Sequence, residues 1–164
     1  MKFDIIVMTC KNNGIGYEGT IPWKEPEDMK YFREITTAVL NPGKKNAIIM
    51  GRKTYDSIGK KPLKNRVNCV ISKETYENVD CFKSLDECLG YLKQQHNIEN
   101  IFVIGGFGLY DEAIKHKQCR FLYKNVLNEY YECDTFFPYV SRTFTLLRSY
   151  ELTDKIMCNV FIKN

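Results

Sequence analysis

Four short apolar runs, FDIIVMTC (3–10), NAIIM (46–50), VNCVIS (67–72) and IFVI (101–104), limit what this chain can fold into. A strand with water on one face alternates apolar and polar side chains. Short runs without that alternation, rich in β-branched residues, fit strands covered on both faces, as in parallel sheets flanked by helices. The expected fold class is therefore α/β, with residues 3–10 as a central strand.

Two of these runs lead directly into glycine and a helix. Residues 46–50 pass into Gly51-Arg52-Lys53-Thr54 and a short helix ending near Ile58. Residues 101–104 pass into Gly105-Gly106-Phe107-Gly108-Leu109-Tyr110 and an amphipathic helix reaching about Lys117. Glycine lets a ligand approach the backbone, and a helix N-terminus offers free N–H groups and positive potential, so each junction suits a phosphate. An ordinary strand-to-helix turn is the plainer alternative at either one. Both in one parallel sheet point to two phosphates, or one pyrophosphate, lying across the strand ends. Ser72-Lys73, ending the strand that Arg66 opens, is a weaker third cradle.

Residues 20–39, TIPWKEPEDMKYFREITTAV, pose a different problem. Pro26 suits the first position of a helix of three to four turns. At about 100° per residue, Asp28, Phe32, Ile35 and Val39 share a narrow arc, opposite Glu27, Lys30, Arg33 and Glu34. Acids in a first helical turn usually serve the dipole, and Glu25 and Glu27 fit that reading. An acid on the apolar arc instead needs a donor brought to it, because a buried unpaired carboxylate is costly. The only tryptophan, Trp23, precedes it by five residues.

Gly14, Gly16 and Gly19 match G-x-G-x-x-G, but Thr-Ile-Pro-Trp follows where a dinucleotide-binding turn would open a helix. The stretch is expected to be a mobile glycine-rich loop. Ser84-Leu85-Asp86-Glu87 forms a capping box before a structural helix striped by Leu85, Cys88, Leu89 and Leu92. Strand-like runs after Cys119 predict a β-hairpin finish. With 164 residues and 44% hydrophobic content, one domain over 1–164 is expected.

A net charge of +4 and a pI near 8.6 suit an anionic small molecule and fall short of a nucleic-acid binder. Seven cysteines without a C-x-x-C pair, and only His96 and His116 beside them, argue against a metal site or disulfide framework. The odd count and the absence of a signal peptide favour reduced thiols in the cytoplasm. No apolar run approaches the roughly 20 residues of a membrane span.

Together, Val7 with Gly14-Ile15-Gly16, Ile21-Pro22-Trp23, Asp28 with Tyr31-Phe32, Met50 to Thr54, Ser57-Ile58, Pro62 to Arg66, Gly105-Gly106 with Tyr110, and Asp134 to Pro138 resemble dihydrofolate reductase. The resemblance spans nearly the whole chain in order. It implies a mainly parallel eight-stranded sheet flanked by four helices, with an antiparallel C-terminal edge strand. The implied reaction passes a hydride from nicotinamide C4 of NADPH to C6 of dihydrofolate, with a solvent proton added at N5, in support of one-carbon metabolism and thymidylate synthesis. Asp28 resembles the acid that holds the pteridine, with the Trp23 region positioning substrate and solvent.

The same resemblance assigns Ile6, Val7, Met29, Phe32, Ile58, Ile104, Tyr110 and Asn125 to the substrate, with Arg66 on the glutamate carboxylate. To the cofactor it assigns Met8, Ile15, Gly16, Gly19, Thr20, Gly51, Arg52, Lys53, Thr54, Ile71, Ser72, Lys73, Lys83, Gly105, Gly106, Phe107, Gly108, Leu109 and Tyr110. Arg52, Ser72 and Lys73 would read a 2′-phosphate, and the Gly105–Gly106 peptide would be cis.

Met8 departs from the family's alanine, Asn125 from its threonine, and Tyr55-Asp56 from a bulkier segment. A one-residue shift would put Lys124 or Val126 in place of Asn125. Dihydrofolate and antifolates are the implied ligands of a cytoplasmic monomer, with neither membrane nor nucleic acid as partner. Two alternatives remain: a non-catalytic or RNA-binding module using Lys60, Lys61, Lys64 and Arg66, or a related pteridine or pyrimidine reductase.

Overall fold

The computed structural model describes residues 1–140 and 142–164. Eight strands form one sheet in the order β5-β4-β3-β6-β1-β7-β10-β9. The elements in chain order are β1 (Phe3–Thr9), β2 (Gly14–Gly16), α1 (Pro26–Thr37), β3 (Lys45–Gly51), α2 (Arg52–Ser57), β4 (Val67–Ile71) and β5 (Asp80–Phe82). They continue with α3 (Leu85–Lys93), β6 (Ile98–Val103), α4 (Phe107–Lys115), β7 (Cys119–Leu127), β8 (Thr135–Phe136), β9 (Phe144–Glu151) and β10 (Ile156–Lys163). β1 lies between β6 and β7, parallel to both, as its apolar run requires. The single reversed strand, β10, is antiparallel to both β7 and β9, which forms the outer edge.

Alternation along the strands builds two cores. Ile5, Val7, Ala47, Ile49 and Val103 face one way and pack with Leu85, Leu89 and Leu92 of α3 and Leu109, Ala113 and Ile114 of α4. Ile6, Ile48, Met50 and Phe102 face the other way, toward Tyr31 of α1 and Tyr55 of α2. The acid-bearing helix and the second glycine junction thus approach the same strand ends from opposite faces.

Helix α1 differs from expectation in extent and in its buried face. It stops at Thr37, leaving Val39 outside, because Ala38 turns extended. Fully buried Asn46 donates to the carbonyls of Thr36 and Ala38, and the Glu99 carboxylate accepts from the N–H groups of Leu40 and Asn41. The side chains driven into the sheet are Tyr31 and Thr36, whereas Asp28, Phe32 and Ile35 are half-buried along a cleft.

α4 likewise ends at Lys115 rather than Lys117, since His116 turns extended with its ring on Asp86 and its carbonyl accepting from Lys163. In α3 the Ser84 hydroxyl accepts from the Glu87 N–H, and the Glu87 carboxylate reaches one residue further back, to the Lys83 N–H.

The glycine-rich stretch is more regular than the loop expected of it. Gly14–Gly16 is a strand paired antiparallel with β8, and Tyr17 to Thr20 is a tight turn whose central residues, Glu18 and Gly19, both have positive φ. No helix opens there, so the rejection of a dinucleotide-binding turn stands. Strand β5, unanticipated, extends the sheet beyond β4.

Candidate active site

Because the inner strands are parallel, the loops after β1, β3, β4 and β6 gather at one end of the sheet, where parallel α/β proteins place their ligands. The Asp28 carboxylate accepts a 2.8 Å hydrogen bond from Nδ2 of Asn125. Asn125, 2% exposed, stands opposite Met8 on β1 and Cys158 on β10. It occupies the position expected from ungapped alignment, which excludes Lys124 and Val126 from contact with the acid. Among the described residues its Oδ1 is buried without a partner, so this amide has an acceptor left for something else. Burial raises the Asp28 carboxyl above the ordinary carboxylate range; the Asn125 bond opposes that shift and Glu25 adds to it.

The floor of the cleft is Tyr110. Its hydroxyl lies 2.9 Å from both the Ile6 and Ile104 carbonyl oxygens. Burial pushes its phenol well up, and the Asp28 charge adds to the effect, so acid and phenol share one environment. The same hydroxyl would lie 3.2 Å from a Cβ at Gly105, whose φ of +124° already favours glycine. The Gly105–Gly106 peptide is cis, and the Gly51 N–H donates to the Gly105 carbonyl, tying the two junctions together.

Arg66 is half-buried. Its Nη1 donates to Thr36 Oγ1, its Nε to the Lys64 carbonyl, and its guanidinium lies 6.0 Å from the Phe32 ring centre. Desolvation, with help from Arg33, lowers its pKa. Among the described residues it makes no ion pair, leaving a pre-oriented cation available to a carboxylate.

The other expected substrate residues divide by face. Ile58 and Ile104, like Phe32, are partly buried against the second core, while Met29 is 60% exposed. Val7 turns its side chain into the α3/α4 core, so only its backbone faces this end. Trp23 is half-buried, its ring centre 5.6 Å from that of Tyr131.

On the cofactor side, neither α2 nor α4 has a side-chain cap, which leaves first-turn N–H groups near Lys53, Thr54, Phe107, Gly108 and Leu109 without one. A Cβ at Gly106 would meet Thr54 Oγ1 at 3.7 Å, so the two turns lie close. Uncapped N–H groups on two adjoining turns fit the phosphates of a ligand lying across them. Leu109 is a core side chain and offers only its backbone.

Arg52 is exposed and pairs with Asp56 at 3.3 Å; Ser72 Oγ accepts from the Glu74 N–H; Lys73 and Lys83 are exposed. Ile71, Met8, Ile15 and Gly16 are half-buried, whereas Gly19, at the tip of its turn, and Thr20, which closes it, are exposed, with no described contact to either junction.

Sequence reasoning missed Thr36, which fixes Arg66 across 30 residues, and Asn13, whose amide donates to the Phe137 carbonyl and accepts from Lys124. Asn13 at φ 66° carried a local signal, as a turn asparagine before glycine, while Thr36 carried none. A surface groove of about 600 Å³, bordered by Met1, Asp86, Lys93 and His116, lies at the opposite end of the strands. No group of three or more metal-ligating side chains occurs among the described residues, and no helix there is long and apolar enough to cross a membrane.

Sheet, cleft and paired glycine turns define an α/β protein with a poorly solvated acid and two phosphate-suited turns at one end of its strands. The dihydrofolate reductase family model matches residues 2–159. A dihydrofolate reductase of Drosophila melanogaster is 37% identical over 151 residues, 88% of this chain and 83% of the fly protein. That of Heliothis virescens is 39% identical over 151 residues, 87% and 82% of the two chains. A bifunctional dihydrofolate reductase-thymidylate synthase of Glycine max is 38% identical over 157 residues, 89% of this chain but 29% of the longer protein. The chain belongs to the dihydrofolate reductase family, enzymes that reduce dihydrofolate with a nicotinamide cofactor.

Proposed function

We propose that this enzyme uses NADPH to convert 7,8-dihydrofolate to tetrahydrofolate, with Asp28 as the anchor of the pteridine, and so serves one-carbon metabolism. The observation that carries the reading is the Asp28–Asn125 pair, a desolvated acid on a buried amide whose second polar atom is unpartnered. An amino-pteridine edge supplies the N–H donors that such a carboxylate and amide oxygen require. The Ile6 and Ile104 carbonyls and the Tyr110 hydroxyl offer further polar contacts to the ring, and Phe32 and Ile58 an apolar wall.

Arg66, held by Thr36, would grip the glutamate carboxylate in a two-bond fork. Residues 51–54 and 105–110 would hold the cofactor, which would supply the hydride when bound. Asp28 lies at the recognition edge rather than at N5. The chain's own part in protonation is therefore to orient the ring, exclude bulk water and leave a path for one solvent molecule beside Trp23. Arg52, Ser72 and Lys73 would favour a 2′-phosphate once Arg52 exchanges Asp56 for the ligand.

The test is an absorbance assay of nicotinamide oxidation with dihydrofolate, run with each cofactor. Activity should require dihydrofolate and be at least about tenfold greater in kcat/KM with NADPH than with NADH. Equal use of both would remove the 2′-phosphate role from Arg52, Ser72 and Lys73. No dihydrofolate-dependent oxidation would remove the reading itself.

A further inference from the structure

Away from the pteridine cleft, the thiols of Cys10 and Cys133 lie 3.8 Å apart although 123 residues separate them. Cys10 follows β1 and is completely buried; Cys133 precedes β8 and is half-buried. The glycine-rich segment between β1 and α1 is already fastened to the β8 region. The Asp134 N–H donates to the Gly16 carbonyl, the Asp134 carboxylate accepts from the Glu18 N–H, and the Phe137 N–H donates to the Asn13 carbonyl. Cys133 sits directly on Gly14, so close that any Cβ at that glycine would collide with its Sγ and Cβ. The missing side chain is what allows the second thiol to reach the first.

We propose that Cys10 and Cys133 are a redox modification site, a dithiol that closes to a disulfide and clasps the β2 segment to β8. The pair differs from Cys69 and Cys88, which are both fully buried in the sheet–α3 core, beyond reach of an oxidant. Cys133 is the point of entry because it alone of the pair has exposed surface.

With a small disulfide RSSR as oxidant, Cys133 gives up its proton and its thiolate attacks one sulfur, releasing RSH and leaving a Cys133–SR mixed disulfide. The Cys10 thiolate then attacks Cys133 Sγ and expels the second RSH. The protein loses two electrons and two protons, and one RSSR becomes two RSH. Closure requires the sulfurs to approach to about 2.05 Å, a shift falling on the short β2–β8 ribbon rather than on the eight-stranded sheet. Burial, with the Cys10 contact, pushes the Cys133 thiol up to about 11, so the first attack is slow near neutrality and exposures of hours are appropriate.

The experiment incubates the native 164-residue chain with excess oxidised glutathione, alkylates the remaining thiols after denaturation, and maps the peptides by mass. A Cys10–Cys133 linked peptide that dithiothreitol reverses, with the other five cysteines alkylated, is the expected result. C10A should stop at a glutathione adduct on Cys133, and C133S should give no cross-link.

The oxidised protein should also be cut after Glu18 by a glutamyl endopeptidase about tenfold more slowly than the reduced one. A glutathione adduct persisting on Cys133 in the unsubstituted chain, or a linkage through any other cysteine, overturns the pairing. Unchanged cleavage after complete cross-linking overturns the clasp. Neither readout depends on which cofactor or substrate the cleft accepts.

Discussion

Asn125 shows how much one amide can carry. It gives both a donor for Asp28 and a free acceptor beside it. Asn125→Ala should therefore lower kcat/KM by about tenfold, the usual worth of one hydrogen bond to a charged group. It should also move the acid limb of the pH–rate profile to higher pH, because the bond being removed is the one that lowers the Asp28 pKa. Asn125→Thr should recover most of the loss. A profile unmoved by alanine would mean that the amide does not govern the acid.

Among the elements, the β2–β8 ribbon depends most on a single residue type. Gly14→Ala would force its Cβ into Cys133, at a cost of about 1–3 kcal/mol in denaturant unfolding. Pairing it with Cys133→Gly, which removes both the Sγ and the Cβ that the new methyl meets, should return at least about half of that cost relative to Cys133→Gly alone; additive losses would show that the contact is not the cause. This ribbon was not legible in the sequence. Two strands of two and three residues, 120 positions apart, leave no periodicity, and Gly14 to Gly19 suggested only freedom.

The four apolar runs were legible because burial on both faces writes itself into consecutive residues. The glycine junctions were legible because they adjoin such runs. On α1, periodicity located an apolar arc, but tertiary packing chose Tyr31 and Thr36 for the core, and Asn46, on the next strand, satisfies the carbonyls of Thr36 and Ala38 where the helix stops. The role of Thr36 under Arg66 depends on the separation between α1 and β4, which no local pattern encodes.

At the scale of the whole molecule, the site places a poorly solvated acid on the α1 side of the sheet, so function and stability oppose each other at one residue. Burial raises the Asp28 pKa in the folded state. Between its ordinary value near 3.8 and that raised value the native state holds the extra proton, so stability declines as pH rises through the window. Asp28→Asn should lose this decline and, near neutrality, melt no lower than the unsubstituted protein.

The most direct test of the account is the steady-state rate of dihydrofolate-dependent NADPH oxidation by purified Asp28→Asn at neutral pH, alongside its melting temperature. A rate lowered by about 100-fold or more with an undiminished melting temperature is the predicted result. Full activity in a folded variant would contradict the role of Asp28 as anchor of the pteridine.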